Sequence, residues 1–327
     1  MRGKNATETR LADAEGIALA AQILRNGGLV AVPTETVYGL AARADSEEAV
    51  ARIYKAKGRP SFNPLIVHVR DAAQARRFAE VDGLANAVMD VQWPGPLTLV
   101  LPRKGASVLA DAVTAGLGTV ALRAPAHPTM QALLDACDFP LAAPSANRSG
   151  FISPTTADHV LQSLDGRIDL VLDAGPCKRG VESTILAIRS DGSWEELRPG
   201  PVDVQALHAH FFDDCASIPG PTSVNGGART SIEAPGQLAS HYAPGKPVRL
   251  NARDVQPDEF LIGFGDVPGD VTLSATGDLG EAAARLYACL HDGARSARPR
   301  IAVAPIPGVG VGLAINDRLR RAATPPD

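Results

Sequence analysis

The sequence contains few cysteines and no long apolar segment. Its four cysteines, Cys137, Cys177, Cys215 and Cys289, lie far apart in 327 residues and form no C-x-x-C pair. This spacing excludes a zinc knuckle and a disulfide framework, and it is typical of a protein in a reducing compartment. The N-terminal residues are too polar for a signal peptide, and no stretch approaches the ~18 apolar residues that span a bilayer. We therefore expect a cytoplasmic protein that does not enter a membrane.

A strong charge of one sign is also missing. The chain has 32 Lys and Arg against 36 Asp and Glu, which gives a formal net charge of −4. This balance argues against direct binding of long nucleic acids, so a site for a polyanion has to be local. The G-x-x-x-x-G-K-[S/T] pattern is absent as well, which excludes a P-loop for any bound nucleotide.

Helical and strand patterns alternate along the chain, which predicts an α/β fold. A helix is expected over 11–26 because apolar residues recur at helical spacing and Gly27-Gly28 ends the pattern. A second helix begins with the capping signal at 45–48, and another is expected from Ser153-Pro154 to about Leu164. Strands are expected between these helices, at 29–32, 65–69, 97–101, 119–123, 140–143, 168–172, 183–188 and 194–198.

The chain divides into three parts by composition. Residues 1–212 carry the first series of helices and strands. From 213 to 247 the periodicity stops, and 10 of those 35 residues are Gly or Pro, which predicts a linker or lid over 213–246. Residues 247–327 show a second, shorter series of strands and helices, which predicts a small second α/β domain.

Two cations and a histidine are the first candidate site residues. Lys57 and Arg59 stand where the capped helix ends, and His68 lies on the strand that follows. Cations at a helix C-terminus are favoured by the helix dipole, so a solvated helix end is the alternative. Arg123 ends an apolar strand and needs an anionic partner, either a ligand or an internal carboxylate.

A small polar loop is the next candidate. Ser145 and Asn147 follow the short strand that ends at Ala143, where α/β folds usually place ligands. Their hydroxyl and amide groups suit phosphate oxygens, although an ordinary turn would explain the same residues.

Taken together, several segments resemble one family, the YrdC-like threonylcarbamoyl-AMP synthases in their two-domain branch. The resemblance implies a YrdC-like twisted mixed sheet with flanking helices, plus a smaller Rossmann-like α/β domain. The segments that carry it are Pro33-Thr34-Glu35-Thr36-Val37-Tyr38-Gly39-Leu40, Lys57-Gly58-Arg59-Pro60 with Asn63-Pro64-Leu65, Trp93-Pro94-Gly95-Pro96, Arg123-Ala124-Pro125-Ala126-His127-Pro128, Ala143-Pro144-Ser145-Ala146-Asn147, Glu182-Ser183-Thr184, Leu197-Arg198-Pro199-Gly200 and His241-Tyr242-Ala243-Pro244.

The resemblance also implies an activity. Such enzymes make L-threonylcarbamoyl-AMP and pyrophosphate from L-threonine, bicarbonate or CO2, and ATP. A partner transferase then modifies the tRNA adenosine beside the anticodon. Mg²⁺ would accompany ATP and would not need ligands from protein side chains.

Site residues follow from the same resemblance. Lys57, Arg59, Ser145 and Asn147 would form the catalytic tetrad around the triphosphate. The positions implied for L-threonine are Thr36, His68, Arg123, Ala143 and Ser183. Those implied for ATP are Lys57, Arg59, Asn63, Thr119, Ser145, Ser153, Arg198, His241 and Tyr242.

Other interpretations remain open at this point. A carbamoyl-transfer module of hydrogenase maturation also contains a YrdC-like domain, but it carries zinc-finger cysteines that this chain lacks. An RNA-binding module that uses the Lys57 and Arg59 region is the alternative outside enzymes. Because a plain tether has no use for an imidazole beside a phenol, His241 and Tyr242 favour a lid over the pocket.

Overall fold

The computed structural model describes residues 6–105, 107–212, 222–223, 232–238 and 240–325. Most of the predicted linker therefore lies outside the described residues. The elements up to the linker are β1 (Glu8–Leu11), α1 (Ala14–Arg25), β2 (Val30–Val32), β3 (Gly39–Arg43), α2 (Glu47–Lys57), β4 (Ile66–His68), α3 (Ala72–Ala75), α4 (Gly83–Gln92), β5 (Leu97–Pro102), α5 (Asp111–Thr114), β6 (Thr119–Arg123), α6 (Pro128–Ala136), β7 (Leu141–Ala142), α7 (Ala157–Leu164), β8 (Leu170–Asp173), β9 (Thr184–Ile188), β10 (Trp194–Arg198) and α8 (Val204–Phe212).

These strands form one mixed sheet with helices against it. Among the described residues its order is β1-β8-β2-β3-β7-β4-β6-β5-β9-β10-β11, where β11 is Thr222–Ser223. The strands β4 and β6 pair in parallel, whereas β5 and β6 pair antiparallel. The mixed α/β class predicted from the sequence is confirmed. The strand β11 lies inside the stretch for which the sequence shows no strand period.

A second, smaller sheet follows the linker. Its elements are β12 (Val248–Arg249), β13 (Glu259–Gly263), β14 (Val271–Thr272), α9 (Leu279–Arg295), β15 (Arg300–Val303) and α10 (Gly312–Ala323). Among the described residues all its pairs are parallel, in the order β12-β15-β13-β14. This agrees with the predicted second α/β unit, called the small domain below.

Local signals explain where α2 begins and ends. The Ser46 side chain accepts a hydrogen bond from the Ala49 amide, and this cap satisfies an otherwise free donor in the first turn. At the other end Gly58 adopts φ 61°, the left-handed conformation that ends helices and favours glycine. Lys57 is thus the last helical residue, and Arg59 lies one residue past the cap. The left-handed turn at Gly58 separates them, and their side chains bind different partners.

One helix begins later than the sequence predicts. The helix expected from Ser153-Pro154 starts at Ala157, where the Thr156 side chain caps it. The Pro154 carbonyl instead accepts a hydrogen bond from the Tyr38 amide, so this stretch is extended and pairs with the loop before β3. Besides β11, the elements that were not predicted from the sequence are β1, β3, α5, α6, α8 and β14.

The two domains share a hydrophobic core next to the site described below. Val37, Ile152 and Val181 of the large domain pack in the same cluster as Tyr242 and as Tyr287 of α9. Burying these apolar side chains together stabilises the packing of the small domain against the large sheet. Among the described residues, no helix is both long enough and apolar enough to cross a membrane.

Candidate active site

A pocket opens where several strands of the large sheet end. Parallel pairing of β4 with β6 places His68 beside Arg123 at the carboxyl ends of both strands, the usual ligand position in α/β sheets. The pocket is lined by Thr34, Thr36, Val37, Gly39, Arg59, Ile66, His68, Arg123, Ala143, Pro144, Ser145, Glu182, Ser183, Arg198, Pro235, Gly236, His241 and Tyr242.

The structure brings most of the predicted site residues into this lining. Those that line the pocket are Thr36, Arg59, His68, Arg123, Ala143, Ser145, Ser183, Arg198, His241 and Tyr242. Predicted residues outside the lining are Lys57, Asn63, Thr119, Asn147 and Ser153. Thr119 begins β6 whereas Arg123 ends it, so roughly 13 Å of strand separates them. The roles of all these predicted residues toward substrates stay predictions.

Lys57 faces the polar loop rather than the pocket. Its Nζ donates hydrogen bonds to the carbonyl oxygens of Ser145 and Asn147, both at 2.5 Å. Burial and the nearby Arg59 charge hold the pKa of the Lys57 ammonium well below its ordinary value. The predicted role of Lys57 toward the triphosphate stays a prediction, and in the structure its ammonium binds carbonyl oxygens of the protein itself. Lys57 fixes the backbone of the loop that carries Ser145.

Among the described residues three arginines line the pocket, and two of them, Arg59 and Arg198, are considered first. Arg59 donates to the Asn63 carbonyl, the Asn63 Oδ1 atom and the Pro64 carbonyl, at 3.0, 2.6 and 2.8 Å. Arg198 donates to the Ser183 carbonyl and hydroxyl, both at 3.1 Å. Both arginines are buried, and within the described parts of the chain neither forms an ion pair with a carboxylate. Burial lowers the pKa of Arg59 to about 10, so it stays charged near neutral pH.

Another part of the pocket wall is built around Arg123. Its Nη2 pairs with Glu35 Oε1 at 2.6 Å, Nη1 donates to Thr36 Oγ1 at 2.9 Å, and Nε donates to the Gly95 carbonyl at 3.2 Å. The internal carboxylate considered as an alternative partner for Arg123 is therefore present, although Arg123 still lines the pocket. Burial and the Arg123 charge lower the pKa of His68 to about 3, so its imidazole is neutral at pH 7.

The end of the predicted linker covers the pocket. Pro235, Gly236, His241 and Tyr242 belong to its lining, and the Pro235 carbonyl accepts a hydrogen bond of 3.1 Å from Arg198. We call the described residues 232–238 and 240–242 the cover. Tyr242 has φ 62°, a conformation that costs energy for an aromatic residue and is typical of functional sites. The free volume is only about 40 Å³.

Sequence reasoning did not assign Glu182, although the segment that contains it was among the motifs. Its carboxylate lines the pocket and is buried. Burial raises the pKa of Glu182, but the charges of Arg318 and Arg198 and hydrogen bonds from Ser153 and Tyr287 lower it to about 2. The signal available in the sequence was its position: Glu182 directly precedes Ser183, which was a predicted site residue.

Comparisons with known proteins agree with this architecture. A family profile described as "Telomere recombination" matches residues 22–200, and one described as "Threonylcarbamoyl-AMP synthase, C-terminal domain" matches 202–324. The threonylcarbamoyl-AMP synthase of Bacillus subtilis is 41% identical, over 94% of this chain and 92% of that protein.

Solved structures show the same likeness. Sua5 of Pyrococcus abyssi in complex with L-threonine has a TM-score of 0.86 and 34% identity, over 97% of this chain and 96% of that one. A variant of that protein, with a histidine and the adjacent tyrosine both replaced by alanine, has a TM-score of 0.83 and 33% identity, over 94% and 92% of the two chains.

The large mixed sheet, the small parallel sheet and the cationic pocket at the edge of the large sheet define a two-domain protein of the YrdC-like class. The match over nearly the whole chain is specific for one branch of that class, which removes the hydrogenase-maturation module as an interpretation. This chain belongs to the threonylcarbamoyl-AMP synthase family.

Proposed function

We propose that the chain makes threonylcarbamoyl-AMP and pyrophosphate from L-threonine, bicarbonate or CO2, and ATP. The product would serve the threonylcarbamoyl modification of the tRNA adenosine beside the anticodon. Membership of the family supports this reaction, and the arrangement of charges in the pocket supports it independently.

The observation that carries the proposal is the pair of buried arginines, Arg59 and Arg198. Buried guanidinium groups are unfavourable unless anions compensate their charge, and the nearby carboxylate of Glu182 is already paired with Arg318. A triphosphate supplies that charge, and its oxygens accept charge-assisted hydrogen bonds from the planar donors. Ser145 lies in the same lining, on the loop that Lys57 holds, where its hydroxyl can donate to a phosphate oxygen.

The Arg123 side of the pocket suits an amino acid. A guanidinium has five N–H donors, and Arg123 donates three of them to Gly95, Thr36 and Glu35. Two N–H groups therefore remain for a substrate carboxylate. Because His68 is neutral, it can accept or donate a hydrogen bond there without adding charge. The L-threonine bound to the related archaeal protein supports this assignment.

The chemistry requires no protein nucleophile. The threonine amine first takes up CO2 and releases a proton. A carbamate oxygen then attacks the α-phosphorus of ATP, a P–O bond forms, and the bond to the β-phosphate oxygen breaks as pyrophosphate leaves. Catalysis of such transfers is mainly positioning and charge stabilisation, which fixed arginines and small donors provide.

Mg²⁺ would arrive with ATP. Among the described residues there is no group of three or more His, Cys, Asp or Glu that could hold a metal ion. Phosphate oxygens and water are ligands that Mg²⁺ accepts readily, so the ion can be held by the substrate. It would neutralise part of the phosphate charge. A separate transferase would take the product to tRNA.

The cover would open and close during turnover. The free volume of about 40 Å³ is far below the several hundred Å³ of a usual ligand pocket, so ATP can enter only if the cover moves. Closure with His241 and Tyr242 in the lining would exclude water, which hydrolyses a mixed anhydride of this kind.

Pyrophosphate release tests the proposal. The purified chain is incubated with ATP, L-threonine, bicarbonate and Mg²⁺, and each component is omitted in turn. We expect release to require all four. Equal release without an amino acid, or with serine in place of threonine, would contradict the threonine assignment.

A further inference from the structure

The pocket glutamate Glu182 is held from the other domain. Its Oε1 accepts a hydrogen bond of 2.6 Å from the Ser153 hydroxyl. The hydroxyl of Tyr287 on α9 lies 3.0 and 2.8 Å from Oε1 and Oε2, and Arg318 Nε on α10 lies 3.0 Å from Oε2. Of its three side-chain hydrogen-bond partners among the described residues, Tyr287 and Arg318 belong to the small domain.

Arg318 itself is fully buried between the domains. Besides Glu182, it donates to Asp317 Oδ2 at 2.9 Å and to the Pro199 carbonyl of the large domain at 2.8 Å. Pro199 directly follows Arg198, the arginine that lines the pocket. Arg318 therefore fixes two segments that lead directly into the pocket.

The same side chains hold the aromatic ring of the cover. The guanidinium carbon of Arg318 lies 5.6 Å from the centre of the Tyr242 ring, which is within cation–π range. The ring of Tyr287 stacks against Tyr242, with 5.7 Å between centroids and 29° between planes. Tyr242 thus contacts both residues that hold Glu182.

The next turn of α10 binds the backbone of the cover. Arg321 lies three residues after Arg318 and so is on the same side of the helix. Its Nη1 donates to the Leu238 carbonyl, and its own carbonyl accepts from the His241 amide at 3.3 Å. One face of α10 therefore contacts both the pocket wall and the cover.

The ion pair between Glu182 and Arg318 affects substrate binding through its charge. Glu182 lies in the wall of a pocket that we assign to a triphosphate, and an unpaired carboxylate there would repel phosphate. Its ion pair with Arg318 compensates that charge, together with the nearby charge of Arg198. Removing one partner of a buried ion pair is strongly destabilising because it leaves the other charge unpaired.

We propose that Arg318 and Tyr287 are positioning residues for the reaction: from the small domain they compensate Glu182 and hold Tyr242 in the wall of the nucleotide pocket. The proposal rests on the function proposed above. Neither residue belongs to the pocket lining. The small domain thereby becomes part of the active site and is more than a neighbouring domain.

The test uses the full chain with Arg318→Met, and Arg320→Met as the matched control. Arg320 lies on the same helix but is exposed, so its replacement removes the same charge without changing the pocket. We expect Arg318→Met to raise the KM for ATP roughly tenfold, with a smaller change in the KM for threonine. Adding Glu182→Gln to Arg318→Met should lower the KM for ATP again, because the uncompensated charge is gone. Arg320→Met should behave as wild type.

A purely structural role for Arg318 predicts a different pattern. Melting temperature would fall, but folded Arg318→Met would keep the wild-type KM for ATP, and that result would overturn the proposal. If Arg318→Met does not fold, Tyr287→Phe decides, because it removes only one hydroxyl. A raised KM for ATP in Tyr287→Phe supports the proposal, and a wild-type value overturns it.

Failure of the proposed function would look different again. In that case the wild-type chain itself would not release pyrophosphate in response to threonine. In that case the ATP affinities of wild type, Arg318→Met and Arg320→Met can still be measured by calorimetry and compared. Equal affinities in all three would overturn the positioning role, and weaker binding in Arg318→Met alone would support it.

Discussion

Replacing Lys57 by methionine tests what the buried ammonium does. The Asn147 carbonyl receives a hydrogen bond from Lys57 Nζ, and the Ser145 carbonyl receives one from the same atom and a second from the Asn147 amide. In Lys57→Met the Asn147 carbonyl loses that bond and the Ser145 carbonyl keeps one partner. Methionine fills a similar volume, so the change concerns polar contacts more than packing.

The size of the effect follows from these contacts. A buried carbonyl left unpaired costs about 1–3 kcal/mol, and the weakened second carbonyl adds up to about 1 kcal/mol. The substitution also removes the free-energy cost of burying the Lys57 charge, which offsets part of this loss. The depressed pKa of Lys57 reflects that cost. We expect a net loss of about 2 kcal/mol in the free energy of unfolding, enough to lower Tm by several degrees.

The assay combines thermal unfolding with pyrophosphate release, and Lys55→Met is the matched control. Lys55 lies on the same helical turn but is exposed. We expect Lys57→Met to melt at a lower temperature and to lose activity even where it is folded, because the loop with Ser145 is no longer held. If Lys57→Met melts and turns over like Lys55→Met, the loop-holding role is refuted.

Three further predictions concern other parts of the pocket. Arg123→Lys should raise the KM for threonine more than the KM for ATP, because the planar donors are lost while the charge stays; the reverse order in steady-state kinetics would move Arg123 to the nucleotide side. Gly236→Ala should reduce activity more than Gly245→Ala: both have positive φ, but only at Gly236 would a Cβ lie 3.0 Å from the Tyr242 hydroxyl, whereas nothing lies within 4 Å at Gly245. Equal activities would show that the cover tolerates displacement. Burial lowers the pKa of His68 and His241 to about 3. Unfolded histidine titrates near 6.5, so the unfolded chain binds more protons between these values and stability falls as pH drops below about 6.5. Urea unfolding at pH 7 and pH 5 should show a lower free energy of unfolding at pH 5, with a smaller difference in His68→Gln. An equal difference in wild type and His68→Gln would refute the prediction.

Local chemistry determined what could be predicted from the sequence. The capping signal before Glu47 and the glycine after Lys57 define the ends of α2, because both act within one helical turn. The strands with His68 and Arg123 were also predictable, since their apolar residues are contiguous. The start of α7 was not predictable, because the Pro154 carbonyl accepts a hydrogen bond from the amide of Tyr38, a residue distant in sequence.

Long-range pairing explains what was missed in the site. Lys57 faces the carbonyls of residues 88 and 90 positions away, and no pattern around Lys57 reveals that choice. Glu182 and Arg318 are 136 positions apart and meet only because the small domain packs against the large sheet. Residue types could be predicted from motifs, whereas their partners depend on how the two domains pack.

The origin of the product's atoms tests the central claim most directly. The chain is incubated with ATP and Mg²⁺, with carbon-13 bicarbonate and deuterated L-threonine, and adenylates are analysed at once by mass spectrometry. We predict a single adenylate that carries both labels, formed in equal amount to pyrophosphate. Pyrophosphate accompanied only by AMP, or an adenylate that contains threonine without the bicarbonate carbon, would contradict the account.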